Sequence, residues 1–204
     1  MNRETFFDRI HGLVDPSELI MVSHAYWLAK QVHREQVRDS GERYFEHCRR
    51  VALNLVGLPS VTASDFVLSF VHDCIEDGFM PPGLLRAIFG DEMAHAVAAI
   101  SKSVPVYDEH SLTVISRRKK SIDDYFAGIR KAPVFVGRVK CADRLDNLRS
   151  MGVWTVERKK KYLLETEQYI LPLAREVDHM LAVQLEDEWR TCCDLIGYVS
   201  GSLS

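Results

Sequence analysis

His72 and Glu76 stand four residues apart in the run Phe70-Val71-His72-Asp73-Cys74-Ile75-Glu76-Asp77, and so do Asp73 and Asp77. On a helix this spacing gathers an imidazole and three carboxylates at one end of an otherwise apolar segment. Burying such a group is costly unless positive charge compensates it. A divalent cation supplies that charge, and the adjacent His72-Asp73 pair offers it one nitrogen and one oxygen ligand. Acidic residues at the negative end of a helix dipole are also locally unfavourable, which argues against accident. The plain alternative is a frayed acidic helix end with a chance His-Asp pair.

Two distant segments add to the set. His47 follows Gly41-Glu42-Arg43-Tyr44-Phe45-Glu46 near the start of its own helix, and Asp143 lies in the polar stretch Lys140–Asn147, after the apolar run Val134–Val139. Taken singly, His47 reads as a surface histidine and Asp143 as the partner of Arg144 or Arg149. Together, His47, His72-Asp73 and Asp143 on three separate helices form a ligand inventory for Mn²⁺, Fe²⁺ or Zn²⁺, with positions left open for water and substrate.

The elements that must carry these residues are helical, and the spacing predicts an all-α fold. A helix opens at Pro16-Ser17 and runs to Arg38, where Asp39-Ser40-Gly41 breaks it. A second covers Tyr44 to Val56, and a third starts near Thr62 or Ser64, carries the His72 run and closes at Gly78. Pro81-Pro82 opens the next, which Gly90-Asp91 divides from a segment covering Glu92 to Ile100. Ser103 to Ser111 reads as a loop with an acidic tip at Asp108-Glu109, and Ser116 to Lys131 as a helix with a basic start. Val134–Arg149 reads as a buried helix, followed by amphipathic segments at Val156–Arg175 and Val177–Tyr198, with Pro172 kinking or ending the first of them. Residues 200–204 read as a frayed tail. With no repeat and no Pro-, Gly- or Ser-rich linker, residues 1–204 are expected to form a single domain.

Composition narrows the function. The formal charge of −3 gives no basic field to gather nucleic acid, and no apolar run approaches the roughly 20 residues that cross a bilayer. The opening MNRETFFDRIHG lacks the order of a secretory signal. Five cysteines, an odd count without a CxxC pair, indicate reduced thiols and a cytoplasmic location. The expected partner is a small molecule, with no nucleic acid and no membrane, and with Val177–Tyr198 available as a packing or homo-oligomer helix.

The order His47 … His72-Asp73 … Asp143 resembles that of the HD superfamily of phosphohydrolases. The surrounding words are similar to one branch, the hydrolase domain of RelA/SpoT-type alarmone enzymes and their free-standing small relatives. That branch reads AH-x-x-Q-x-R-x-x-GEPYI-x-HP, then LLHD-x-x-EDT, then K-x-ADRLHNMR. Here His33, Gln36 and Arg38 precede Gly41-Glu42-Arg43-Tyr44-Phe45-Glu46-His47-Cys48, and Lys140-Cys141-Ala142-Asp143-Arg144-Leu145-Asp146-Asn147 closes the series. Phe89-Gly90, Lys102 and Glu165-Thr166 also fall in place, so the likeness spans roughly Ala25 to Ala174. Arg43, Cys48, Gly78 and Asp146 stand where the branch has Pro, Pro, Thr and His. These departures touch the surroundings of the substrate rather than the metal ligands.

The resemblance implies a compact HD-domain helical bundle of roughly eight to ten helices. It implies one metal, usually Mn²⁺, on His47, His72, Asp73 and Asp143, with Glu76 and Asp77 orienting and deprotonating the attacking water. It places Arg38 on the base and Asn147 on the nucleoside, with Lys102 and Lys140 as weaker candidates for phosphate contacts. The implied substrate is a nucleotide with a 3′-pyrophosphate (ppGpp, pppGpp or ppApp). The rivals are an HD hydrolase acting on NADPH or a nucleotide monophosphate, and a regulator that binds the nucleotide without turnover. The basic run Arg117–Lys120 reads as a solvated face or as a steering patch for a polyanion, and Trp27, Trp154 and Trp189 as core or interface aromatics. His11, His24, His95, His110 and His179 have no partner set that suggests ligation.

Overall fold

Apolar residues on every side of 66–71 leave that segment no face for solvent, and it has to be central. The computed structural model describes residues 3–77, 80–107 and 114–198. In chain order it has α1 (Arg3–Ile10), α2 (Leu19–Val32), α3 (Tyr44–Asn54), α4 (Ala63–Val71), α5 (Pro82–Ile100), β1 (Ser103–Tyr107) and β2 (Val114–Lys119). There follow α6 (Ile122–Lys131), α7 (Val134–Ser150), α8 (Val156–Glu165), α9 (Leu171–Val177) and α10 (His179–Ile196).

Helix α4 buries all of its residues except Ser64, and it packs on α2, α3 and α7. An aromatic cluster pins the N-terminal helices to it. Phe6 of α1 meets Phe70 edge-on at 5.3 Å, and Tyr26 of α2 meets Phe45 of α3 at 4.9 Å. Burying each such ring contributes about 1.5–3 kcal/mol.

Helix α7 is the second central element, and it is unusual in chemistry. Arg138, Lys140, Asp143, Arg144 and Asp146 are all buried on it. Ionised groups persist in such a place only when paired. Arg138 donates two hydrogen bonds to Asp65 of α4, Nε to Oδ1 at 2.8 Å and Nη2 to Oδ2 at 2.7 Å. Asp65 also closes the capping box with Thr62 at the start of α4. The other four charges meet their partners around the site described below. Gly137 lets α9 approach α7 closely, since a Cβ there would stand 2.7 Å from Val177 Cγ1.

The helical reading holds, with local corrections. The segment expected to run to Arg38 leaves the helix at His33, and the expected helix through the His72 run stops at Val71. Residues 72–77 instead form turns, in which the Asp77 amide still reaches the Asp73 carbonyl at 2.8 Å. The loop at Ser103–Ser111 and the basic start of the 116–131 helix are, where described, two antiparallel strands with Val104 opposite Arg118. The next helix begins only at Ile122, because the Ser121 hydroxyl caps it by accepting the Asp124 amide. Helix α1 carries no signal that the periodicity had singled out. The long segment does not end at Pro172: a π-turn at Thr166–Ile170 accommodates the proline in the first turn of α9, and helical backbone runs on to Val177 before Asp178 turns extended. Gly90, with φ at 85°, kinks α5 at the expected division. Gly78, the 108–109 tip, His110 and the 200–204 tail lie outside the described residues. Among the described residues no helix is long and apolar enough to cross a membrane.

Candidate active site

His72 caps the C-terminus of α4, Asp73 follows it, His47 lies in the first turns of α3, and Asp143 lies in α7. Each imidazole is anchored by Nδ1. His72 Nδ1 donates to the Ser69 carbonyl at 2.8 Å, and His47 Nδ1 donates to Asp146 Oδ2 at 2.6 Å. Both Nε2 atoms are thereby turned into one space. His47 Nε2 lies 3.3 Å from Asp143 Oδ1 and 3.8 Å from Asp73 Oδ2. His72 Nε2 lies 2.9 Å from Asp73 Oδ2, yet it is a buried nitrogen without a hydrogen bond among the described residues.

His47, His72 and Asp73 each bring a ligand atom within 4.8 Å of the others. Asp143 abuts His47 but stands outside that tightest group, with Lys140 Nζ on its Oδ2 at 2.7 Å and Asn147 Nδ2 on its Oδ1 at 2.6 Å. The donors suit a divalent cation of the Mn²⁺, Fe²⁺ and Zn²⁺ kind, and the orphaned His72 nitrogen is the feature that such an ion satisfies.

The electrostatics express the same demand for positive charge. Burial opposes a charged His72, but the neighbouring Asp73 carboxylate outweighs it and lifts the imidazole to about 9. Burial likewise opposes ionisation of Asp143, and the Lys140 ammonium with both imidazoles holds it well below the usual carboxylate range. Glu76 and Asp77 go the other way. Burial raises both, Asp73 repels both, and in Glu76 the Lys102 amide only partly offsets the rise.

Glu76 is aimed by the root of the hairpin, since its Oε2 accepts the Lys102 backbone N–H at 2.9 Å. Asp77 is held by Tyr44, whose hydroxyl lies 2.8 Å from Asp77 Oδ2 and 2.7 Å from Asp73 Oδ2. Tyr44 in turn stacks on buried His33, with ring centroids 4.8 Å apart.

Two cavities meet here. One, of about 210 Å³, contains the His-Asp group with Glu76, Lys102, Lys140 and Arg144. The second, of about 340 Å³, is lined by Arg38, Asn147, Trp154, Arg158 and Tyr162 among others, and shares Tyr44, Asp77, Asn147 and Tyr162 with the first. Lys102, Lys120 and Lys140 bring their ammonium groups within 5.7, 5.7 and 5.8 Å of the Tyr125 ring centre. Glu165 bridges Lys102, at 2.8 Å, and Arg144. The first cavity thus brings three cationic side chains, Lys102, Lys140 and Arg144, beside the His-Asp group. In the second, the Arg158 guanidinium lies 4.0 Å over the Trp154 ring, and Arg38 donates to Asp146 Oδ2 at 3.0 Å and to Asn147.

The ten residues expected from sequence to hold metal, water or substrate (Arg38, His47, His72, Asp73, Glu76, Asp77, Lys102, Lys140, Asp143 and Asn147) each line one or both of these cavities. The bland reading of Asp143 is not what is seen, because Arg144 pairs with Glu165 and Arg149 with Glu188. Trp154 is half-buried in a cavity wall rather than in the core. The basic run is split by the strand: Arg118 and Lys119 face solvent, while Lys120 donates to the Ala98 carbonyl at 2.6 Å and Arg117 reaches Ser103 Oγ at 3.4 Å. Sequence reasoning missed Tyr125, Tyr162 and Arg158, for which no spacing gave a cue. It quoted Tyr44, Arg144, Asp146 and Glu165 without giving them a task.

Residues 25–179 match the HD-domain family. A GTP pyrophosphokinase of Myxococcus xanthus is 29% identical over 174 residues, 85% of this chain and 23% of the relative. A guanosine-3′,5′-bis(diphosphate) 3′-pyrophosphohydrolase of Aquifex aeolicus is 28% identical over 166 residues, 79% of this chain and 22% of the relative. The chain thus spans about a fifth of the length of these curated relatives. A solved structure, described as a metazoan ortholog of SpoT that hydrolyzes ppGpp, superposes with a TM-score of 0.66 at 20% identity, covering 84% of this chain and 94% of that one.

Proposed function

The chain belongs to the HD-domain family, and on that premise we propose that it hydrolyses the 3′-pyrophosphate of alarmone nucleotides, ppGpp, pppGpp or ppApp, with a divalent metal, Mn²⁺ first among the candidates. One observation carries the reading: two Nδ1-anchored imidazoles turn their Nε2 atoms toward Asp73 and Asp143, in a cavity that Glu76 and Asp77 also line. His47, His72, Asp73 and Asp143 would hold the metal. Bound there, it supplies Lewis acidity to a phosphate oxygen and makes water easier to deprotonate.

The chain's own groups do the rest. Glu76, aimed by the Lys102 amide, takes the proton of a water attacking the phosphorus nearest the ribose 3′ oxygen. The bond between that phosphorus and the 3′ oxygen breaks, pyrophosphate leaves, and the 3′ oxygen is protonated. The remaining product is the nucleoside 5′-di- or triphosphate. Asp77, steadied by Tyr44, orients the same water. Lys102, Lys140 and Arg144 face the departing pyrophosphate, whose charge suits several cations better than one. Arg38, Asn147 and Trp154 take the nucleoside, the guanidinium and indole through their flat faces. The same reading takes residues 1–204 as one catalytic unit, and five free buried cysteines suit a cytoplasmic location.

Removing the indole tests the nucleoside side. Trp154→Ala is expected to raise KM about tenfold through lost stacking, with kcat within about twofold. Steady-state kinetics on ppGpp check it, and an unchanged KM would place the base elsewhere.

The reaction itself is tested by incubating metal-stripped protein with ppGpp, pppGpp and ppApp, with and without Mn²⁺, and resolving the products. Manganese-dependent release of pyrophosphate supports the reading. Release of inorganic phosphate from NADPH or a nucleotide monophosphate instead would replace it with another HD phosphohydrolase. Binding without any product would leave a regulator.

A further inference from the structure

Asp146 replaces a histidine in the word that the chain otherwise shares with the RelA/SpoT branch, and nothing in the reaction described above uses it. It is 2% exposed and lies three residues beyond Asp143 on α7, so one helix face presents both groups. Its Oδ2 accepts from His47 Nδ1 at 2.6 Å, from Arg38 Nη1 at 3.0 Å and from Arg50 Nη2 at 3.3 Å, and its Oδ1 accepts from Arg50 Nε at 2.5 Å. A carboxylate has about four acceptor sites, and four hydrogen bonds from three side chains converge on this one. A neutral imidazole has one acceptor nitrogen and would leave most of them unpaired.

We propose that Asp146 is a positioning residue that fixes the metal-facing tautomer of His47 and, through the same oxygen, ties it to Arg38 at the nucleoside cavity. Because Oδ2 accepts the hydrogen bond of Nδ1–H, His47 keeps Nε2 as its unprotonated lone-pair nitrogen toward Asp73 and Asp143. The bond to a carboxylate also makes that nitrogen a stronger base. Arg38 is held by the same atom on one side and by the Asn147 side-chain oxygen Oδ1 on the other, which fixes the plane it offers to a nucleobase. Arg50, clamped by Glu42 at 2.6 Å, keeps the carboxylate from turning. Metal end and nucleoside end thus share one hinge-pin, and tightening either one favours the other.

The inference rests on the metal-site reading, and the test separates the two. Mn²⁺ is titrated by calorimetry into metal-stripped wild-type protein and Asp146→Asn, with GDP as a second, metal-free titrant. The variant puts an amide N–H₂ either where three donors converge on Oδ2 or against Arg50 Nε at Oδ1. The Kd for Mn²⁺ is expected to rise about 10- to 100-fold. The Kd for GDP is expected to rise about tenfold as Arg38 loses its charged partner. Wild-type binding of Mn²⁺ with equal affinity in the variant overturns the inference alone. Failure of the wild type to bind Mn²⁺ overturns the metal site itself. Should Asp146→Asn not fold, nitrogen-15 spectra of zinc-loaded wild type decide. A proton on His47 Nδ1 supports the inference, and a proton on Nε2 with metal on Nδ1 overturns it.

Discussion

Glu76→Gln is expected to cut the turnover of ppGpp by about 10² to 10⁴-fold, the usual range for losing a general base. The fold and the affinity for Mn²⁺ are expected to stay within about twofold of the wild type. The substitution keeps the shape and the acceptor oxygen that the Lys102 amide needs, and removes only the capacity to take a proton. Burial and the neighbouring Asp73 and Asp77 carboxylates raise Glu76 from its ordinary value, which makes it a better base near neutrality. The sign of the pH dependence follows. A base acts deprotonated, so the wild-type rate climbs with pH through the raised value and levels off, and the variant loses that acid limb. Single-turnover rates across pH, beside Mn²⁺ calorimetry, give both readouts. A variant with wild-type rate, or one whose defect follows lost metal, would move the base to Asp77.

The second large effect concerns stability rather than chemistry. Arg138→Met is expected to cost about 3–5 kcal/mol, the range seen when one member of a buried ion pair is removed. Asp65 is fully buried, and both of its oxygens lie on the Arg138 guanidinium. Its Oδ2 also accepts the Thr62 amide at 2.9 Å and hydroxyl at 2.8 Å, which cannot neutralise it. The double variant Asp65→Leu, Arg138→Met should recover most of the loss and remain short of wild type by the capping box, about 1 kcal/mol. Urea unfolding of the three proteins measures this. A single variant that costs less than about 1 kcal/mol would mean that water reaches Asp65, contrary to its burial.

The sequence was most legible where chemistry and periodicity coincide. The four-residue spacing of His72, Glu76, Asp73 and Asp77 survives although the helix stops at Val71, because a single turn closed by the Asp77 amide keeps the same neighbours together. The buried helix at 134–150 was legible from its apolar run despite six charged residues on it, five of them buried. Their partners were not, since Asp65, Glu165 and Arg50 lie far away in the chain. The hairpin was lost for a related reason. Strand pairing between 103–107 and 114–119 is a non-local bargain, and Arg117 to Lys120 carry a composition that suits a helix start as well. The cavity proposed for the nucleoside was half legible. Arg38 and Asn147 came with a motif, whereas Trp154, just before α8, and Arg158 and Tyr162, on it, have no spacing that marks a site until they line one cavity with Arg38.

The hydrogen bond from the Lys102 amide to Glu76 has a kinetic side. That proton is protected by a carboxylate whose aim it sets, so its exchange with solvent deuterium counts the moments at which the base is unaimed. If the strand root opens on its own, this amide exchanges faster than the core amides of α4 and α7, and its opening free energy is a local property of the hairpin. The protein would then carry, in one backbone proton, a clock for the fraction of time that its site is assembled.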